Sequence, residues 1–111
     1  ASLVPAHRDL HLAQVVVQAD GVAFIDLDEA TMAPPGLDVG NILGHLSQDA
    51  ALGRRPPCQV ADATAAFLTG YGSAPVDTDC WQQLTLARLA ALADVRYGRP
   101  DWTAALLQVL A

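Results

Sequence analysis

Asp9, Gln14 and Asp26 are the side chains whose types and spacing could do chemistry in this sequence. Asp9 and Gln14 stand five positions apart in "HRDLHLAQ", and Asp26 closes the apolar stretch "VAFID" that follows. Two carboxylates and one amide carbonyl are hard oxygen donors. Mg²⁺ takes one or two carboxylates of this kind and completes its shell with phosphate oxygens and water. A carboxylate just outside such a shell can accept a hydroxyl proton and orient the hydroxyl for attack. A base that positions the nucleophile and a metal that neutralises phosphate charge are the parts phosphoryl transfer requires. In that chemistry Asp9 is the base, and Gln14 and Asp26 are the metal ligands.

The intervening elements must bring these groups together. Val15–Val17 is a β-branched run, Asp20-Gly21 is a turn signal, and "VAFID" reads as the return strand of a hairpin. A two-residue loop at Asp20-Gly21 would pair Ala19 with Val22 and leave Gln14 opposite Leu27. A three-residue loop, Ala19-Asp20-Gly21, places glycine at the left-handed position such loops prefer. It pairs Gln18 with Val22 and Gln14 with Asp26, with Cβ atoms about 5 Å apart. This second register is the expected one.

Beyond the hairpin, "EATMAPPGLD" reads as an irregular connection broken by Pro34-Pro35-Gly36, with Asp38 as the N-cap of a helix over "VGNILGHLSQDA". "LGRRPPCQ" reads as a loop. A second helix is expected from about Val60 to Thr69, ending at Gly70–Gly72, and a third from Asp77–Asp79 to about Tyr97. The middle of the third, "LTLARLAALADV", is apolar nearly all round, which predicts burial on several sides. Gly98 and Pro100 end it, Asp101 can cap the next helix, and "WTAALLQVL" forms the last. The expected fold class is α+β, mainly α. Residues 1–30 form a catalytic loop and metal-binding hairpin, and residues 31–111 a helical subdomain of about four helices.

Composition narrows the function. A chain of 111 residues is one domain at most, and 52 % hydrophobic content excludes disorder. Six Arg and no Lys stand against twelve acidic residues, for a net charge of −6. That balance argues against nucleic acid and against a polybasic membrane patch. No apolar run reaches the roughly 18–20 residues needed to cross a bilayer, and no signal peptide opens the chain. Cys58 and Cys80 lack metal-ligand spacing and read as reduced thiols, which points to the cytoplasm. The chain opens on Ala1 with its chemistry inside the first ten residues, so it reads as a piece of a larger protein.

The stretch "HRDLHLAQVVV…VAFIDLDEA" resembles the catalytic segment of the aminoglycoside phosphotransferase and choline kinase group. The group's pattern is H-x-D-x-x-x-x-N, a hairpin, then I-D-[FWL]-[DE], and a short Pro/Gly connection to a further Asp. "APPGLDVGNILGHL" looks like that connection, and "AAFLTGYG" is similar to a helix end common further along. The resemblance implies the C-terminal lobe of a protein-kinase-like fold, with Mg²⁺, ATP as co-substrate and a small hydroxylated acceptor (aminoglycoside-like, sugar or choline-like). It implies that Asp9 is the catalytic base and that Asp26 binds the metal bridging the nucleotide phosphates. It also implies that His7 braces the loop and that Asp38 stabilises the loop from the following helix. Gln14 stands where the group usually has Asn. Gln carries the same carbonyl up to about 1.5 Å further out, and serves Mg²⁺ at about 2.1 Å if the loop sits slightly deeper.

Only seven residues separate Asp26 from Pro34. That leaves no room for the activation segment of a protein kinase, so the acceptor is a small molecule. The remaining candidates read as scaffold. His11 is expected to be buried and bonded to backbone, His45 to be a satisfied packing residue, and Trp81 and Trp102 to anchor helix starts. The Arg54-Arg55 pair is expected to be solvated. A non-catalytic helical interaction module derived from such a kinase is the alternative function.

The Lys, its partner Glu and the glycine-rich loop that grip ATP in a kinase-like fold have no counterpart in these residues. Surfaces that would meet that missing N-terminal lobe are expected to be covered by it or by self-association. The purified chain should therefore show no turnover with Mg-ATP and a panel of aminoglycosides, choline and sugars. Measurable ADP release with any of them would overturn the expectation.

Overall fold

A computed structural model describes residues 2–111. In chain order it contains β1 (Val4–Ala6), a 3₁₀ turn (Leu12–Gln14), β2 (Val15–Gln18), β3 (Gly21–Phe24) and β4 (Thr31–Ala33). The helices α1 (Leu37–Ala51), α2 (Pro57–Tyr71), α3 (Thr78–Val95) and α4 (Pro100–Leu110) follow. The fold is α+β and mainly α, as the sequence indicates. The strands form two small antiparallel sheets, β1–β4 and β2–β3. Part of the expected irregular connection is in fact a strand: Thr31–Ala33 pairs with Val4–Ala6. Three residues are too few to display an alternating pattern, so the pairing left no mark in the sequence.

The hairpin register differs by one from the expected register. Gln18 pairs with Gly21, Val17 with Val22 and Val15 with Phe24, so the loop is the two-residue Ala19-Asp20. Gly21 sits in the strand rather than in the turn. Tertiary anchors outweigh the local turn preference here. Val15 packs against the core built on α1. The Ile25 N–H donates to the Gln14 carbonyl at 2.9 Å, and the Ile25 carbonyl meets His7 Nε2 at 2.7 Å. Both backbone groups of Ile25 are thereby fixed opposite Gln14, one residue short of Asp26.

Helix limits follow local chemistry. Proline at the first turn of α2 suits a position whose N–H has no helical partner, so α2 starts earlier than expected. It stops at Gly72, whose φ is +99°. Asp38 is not the N-cap of α1: Gly36 holds that position and Asp38 lies in the first turn, its side chain engaged elsewhere. Arg99, not Asp101, precedes α4, and Pro100 opens it. Arg99 and Asp101 pair at 2.8 Å, an exposed contact that pulls the Asp101 carboxyl below its usual range by hydrogen bonding to Arg99.

The α1–α3 contact organises the rest. A Cβ on Gly40 would lie 2.5 Å from Trp81 Cβ and 2.7 Å from the Gln82 backbone N, and one on Gly44 would lie 2.7 Å from Thr85 Cγ2. Only glycine permits that approach. One core cluster gathers Leu10, Val39, Ile42, Leu43, Leu46 and Val60, and a second joins Leu86, Leu89 and Ala90 to Leu106 of α4. Burial on α3 is one-sided: Thr85, Leu86, Leu89, Ala90 and Ala93 face inward, whereas Leu84 and Val95 are exposed. This corrects the expectation of burial on several sides, because α1 and α4 cover one side of the helix only.

Gly40→Ala should destabilise the chain. Helix propensity favours alanine by about 1 kcal/mol. A methyl driven against the α3 backbone costs about 1–3 kcal/mol in strain, and the backbone cannot swing away as a side chain would. Thermal unfolding should show a lower midpoint, and an unchanged or raised midpoint would contradict the close contact.

Candidate active site

The loop between β1 and the 3₁₀ turn carries Asp9, and α1 fixes its shape. Asp38 Oδ2 accepts the His7 N–H and Oδ1 accepts the Arg8 N–H, each at 2.8 Å. Bonds from backbone N–H to an ionised acceptor are the strong kind, and they hold Arg8 at φ +75°, a conformation unfavourable to a side-chain-bearing residue. The His7 ring closes the next link. Its Nδ1 accepts the Asp9 N–H at 3.2 Å, which leaves Nε2–H to donate to the Ile25 carbonyl. The loop and the hairpin are thereby tied together.

Asn41 is the positioning residue that motif spacing did not reveal. It is buried on α1, and its Nδ2 donates to the Leu10 carbonyl at 2.8 Å. Its Oδ1 accepts from Thr85 Oγ1 at 3.2 Å and Arg88 Nη2 at 3.1 Å. One amide thus joins the loop, α1 and α3. An apolar helix with a single buried Asn was the available signal.

Asp9, Gln14 and Asp26 converge. The buried Gln14 Nε2 donates to Asp26 Oδ2 at 3.1 Å and lies 3.4 Å from Asp9 Oδ2. The route is not direct cross-strand opposition. Alternation along a regular strand would send Asp26 to the face opposite Gln14. Instead the chain leaves the strand at Asp26, whose φ is +59°, and Gln14 belongs to the 3₁₀ turn before β2. These two departures supply the convergence that the expected register would have given.

Among the described residues no group of three His, Cys, Asp or Glu is placed to hold a metal. The donor set is instead two carboxylates with the Gln14 amide. Rotating that amide exchanges Nε2 for Oε1 and makes all three groups oxygen donors, which fits Mg²⁺. Asp9 remains open to a substrate, its side chain 42 % exposed.

Beside Asp9 lies a cavity of about 630 Å³, bounded by His11, His45, the α1–α2 loop, α3 and Trp102. Two expectations change here. The His11 ring meets Asp9 at 3.8 Å and stacks on His45 at 4.6 Å between centroids, rather than bonding to backbone. His45 is not satisfied, since its Nε2 is buried without a hydrogen-bond partner. Trp102, in the first turn of α4, packs near the Tyr97 ring and lies beneath the guanidinium groups of Arg54 and Arg99. Trp81 behaves as expected, packed at the start of α3 with its Nε1–H on Asp77 at 3.0 Å.

Burial, reinforced by the positive charges of His11 and Arg88, lowers the His45 pKa from 6.5 to about 4. Between those values the unfolded chain takes up a proton that the folded chain refuses, so stability falls as pH drops from 6.5 to 4. The full shift would correspond to about 3 kcal/mol, reduced to about 1–2 kcal/mol because solvent reaches part of the ring. Urea denaturation of wild type and His45→Gln across this range should show the wild type losing that much more stability on acidification. Parallel pH profiles would contradict the assignment.

The model of the phosphotransferase enzyme family matches residues 1–86. No curated protein and no solved structure matches the chain.

Proposed function

The chain belongs to the phosphotransferase enzyme family, and on that premise we propose that it is the catalytic and metal-binding half of an ATP-dependent enzyme that phosphorylates a hydroxyl on a small molecule. The observation that carries this reading is the Gln14 amide set between the Asp9 and Asp26 carboxylates, at 3.4 and 3.1 Å. Asp9 is the general base: it accepts the proton of the acceptor hydroxyl as that oxygen bonds to the γ-phosphorus of ATP, the bond from that phosphorus to the bridging oxygen breaks, and ADP leaves with the electron pair. Gln14, with its amide turned to present Oε1, and Asp26 would hold Mg²⁺, which would supply charge neutralisation on the transferring phosphoryl group. His7 and Asp38 keep Asp9 in place through the loop backbone. The groups that grip the nucleotide come from outside these residues.

Exposed apolar side chains on the hairpin and its flanks support a covering partner. Val17, Val22, Phe24, Ile25, Leu27 and Met32 all lie open, and such a patch is normally an interface. An N-terminal lobe or a second copy of the chain fills that role. Among the described residues no helix is long and apolar enough to cross a membrane. Two free, exposed cysteines suit a reducing compartment, the cytoplasm.

The same apolar surface favours one competing reading, a non-catalytic interaction module derived from such an enzyme. Titration with Mn²⁺, followed by proton relaxation, separates the two. The wild type should bind the ion weakly and Asp26→Ala should lose that binding. Indistinguishable titrations would favour the module.

A further inference from the structure

The charge of the cavity beside Asp9 runs against the charge of the chain. Four of the six arginines, Arg54, Arg55, Arg88 and Arg96, line it, whereas only Asp9 and Asp49 do so among twelve acidic residues. A chain of net charge −6 therefore concentrates a formal surplus of two positive charges on one concave surface, with the histidines counted neutral. Asp49 is engaged by the loop arginines, 3.0 Å from Arg55 and 3.9 Å from Arg54. Arg88 and Arg96 form no ion pair among the described residues. Their guanidinium groups are nonetheless placed: Arg88 by Asn41 Oδ1 at 3.1 Å, Arg96 over the Tyr97 ring at 5.7 Å.

We propose that this cavity is the acceptor site and that its acceptor carries an oxyanion, a carboxylate or a phosphate ester, besides the hydroxyl to be phosphorylated. The hydroxyl's role rests on the phosphotransferase reading above. The guanidinium fork matches both oxyanions, with parallel N–H donors aimed at two oxygens. An acceptor anchored by its anion at Arg88 and Arg96 presents the rest of its length to Asp9 on the same cavity wall. A cationic acceptor, such as choline or an aminoglycoside, meets that surplus of like charge and is disfavoured.

Calorimetric titration of the full chain at low ionic strength, where exposed charges act most strongly, tests this. The probes are glycerol 3-phosphate and glycerate, with choline and kanamycin as cations and glycerol as the neutral control. Both anions should bind and the other three should not. The tighter of the two anions identifies which oxyanion the site prefers. Arg96→Gln and Arg54→Gln, both at exposed positions, should each weaken anion binding about tenfold, the loss of one charge-assisted contact. An unchanged thermal midpoint would show that the fold is intact. Choline or kanamycin binding as tightly as the anions would overturn the proposal. Anion affinity that both arginine variants leave unchanged would overturn it too.

The Mn²⁺ titration on the same preparation keeps the two readings distinguishable. Asp26-dependent metal binding without anion binding overturns the anionic acceptor alone. Arginine-dependent anion binding without Asp26-dependent metal binding overturns the phosphotransferase reading, and the acceptor role with it.

Discussion

Asp38 reaches from the first turn of α1 to two consecutive backbone N–H groups, those of His7 and Arg8, at 2.8 Å each. The aim of every other group in the site depends on that grip. It stabilises the left-handed turn at Arg8, and the turn points Asp9 outward while Leu10 drops into the core beside Val39 and Ile42. Asn41, one helical turn further along α1, takes the Leu10 carbonyl. The loop is therefore clamped on both sides of Asp9 by polar groups of a single helix. A flexible loop would present the same carboxylate in many directions, and the ordering cost would fall on each binding event.

Much of this was legible in the chain, and unevenly so. Residue type and spacing placed Asp9, Gln14 and Asp26 in one neighbourhood, because a hairpin of this length returns its end to its beginning under any close register. The register itself was not legible. It depends on Ile25 being held by both Gln14 and His7, which are tertiary bonds invisible to turn statistics. The convergence survives the shift because Asp26 adopts φ +59°, a choice the local sequence does not announce. Helices were found where apolar periodicity was strong, and β1–β4 was missed because three-residue strands carry almost no pattern.

The side chains around the cavity were the least legible. Arg54 and Arg55 lie in a Pro-flanked loop, Arg88 on α3 and Arg96 just past its end, and His11 and His45 on different elements, so nothing in their order suggests a common surface. Only the fold of α3 back along α1 gathers them. His45 illustrates the same limit. A histidine on an apolar helix reads as packing, and its stacking on His11 and its unpartnered nitrogen follow from neighbours far away in the chain.

Gly40 brings α1 against the backbone of α3 at Thr78 and Gln82, and Gly44 seats the Thr85 side chain against α1. Side chains can change rotamer and let helices slide, but main chain in contact with main chain cannot. Asp38 and Asn41 ride on one helix, Arg88 on the other, and Arg96 caps the C-terminal end of that second helix. A side chain larger than hydrogen at either glycine would wedge the helices apart and shift the clamped loop relative to the Asn41–Arg88 contact that joins them.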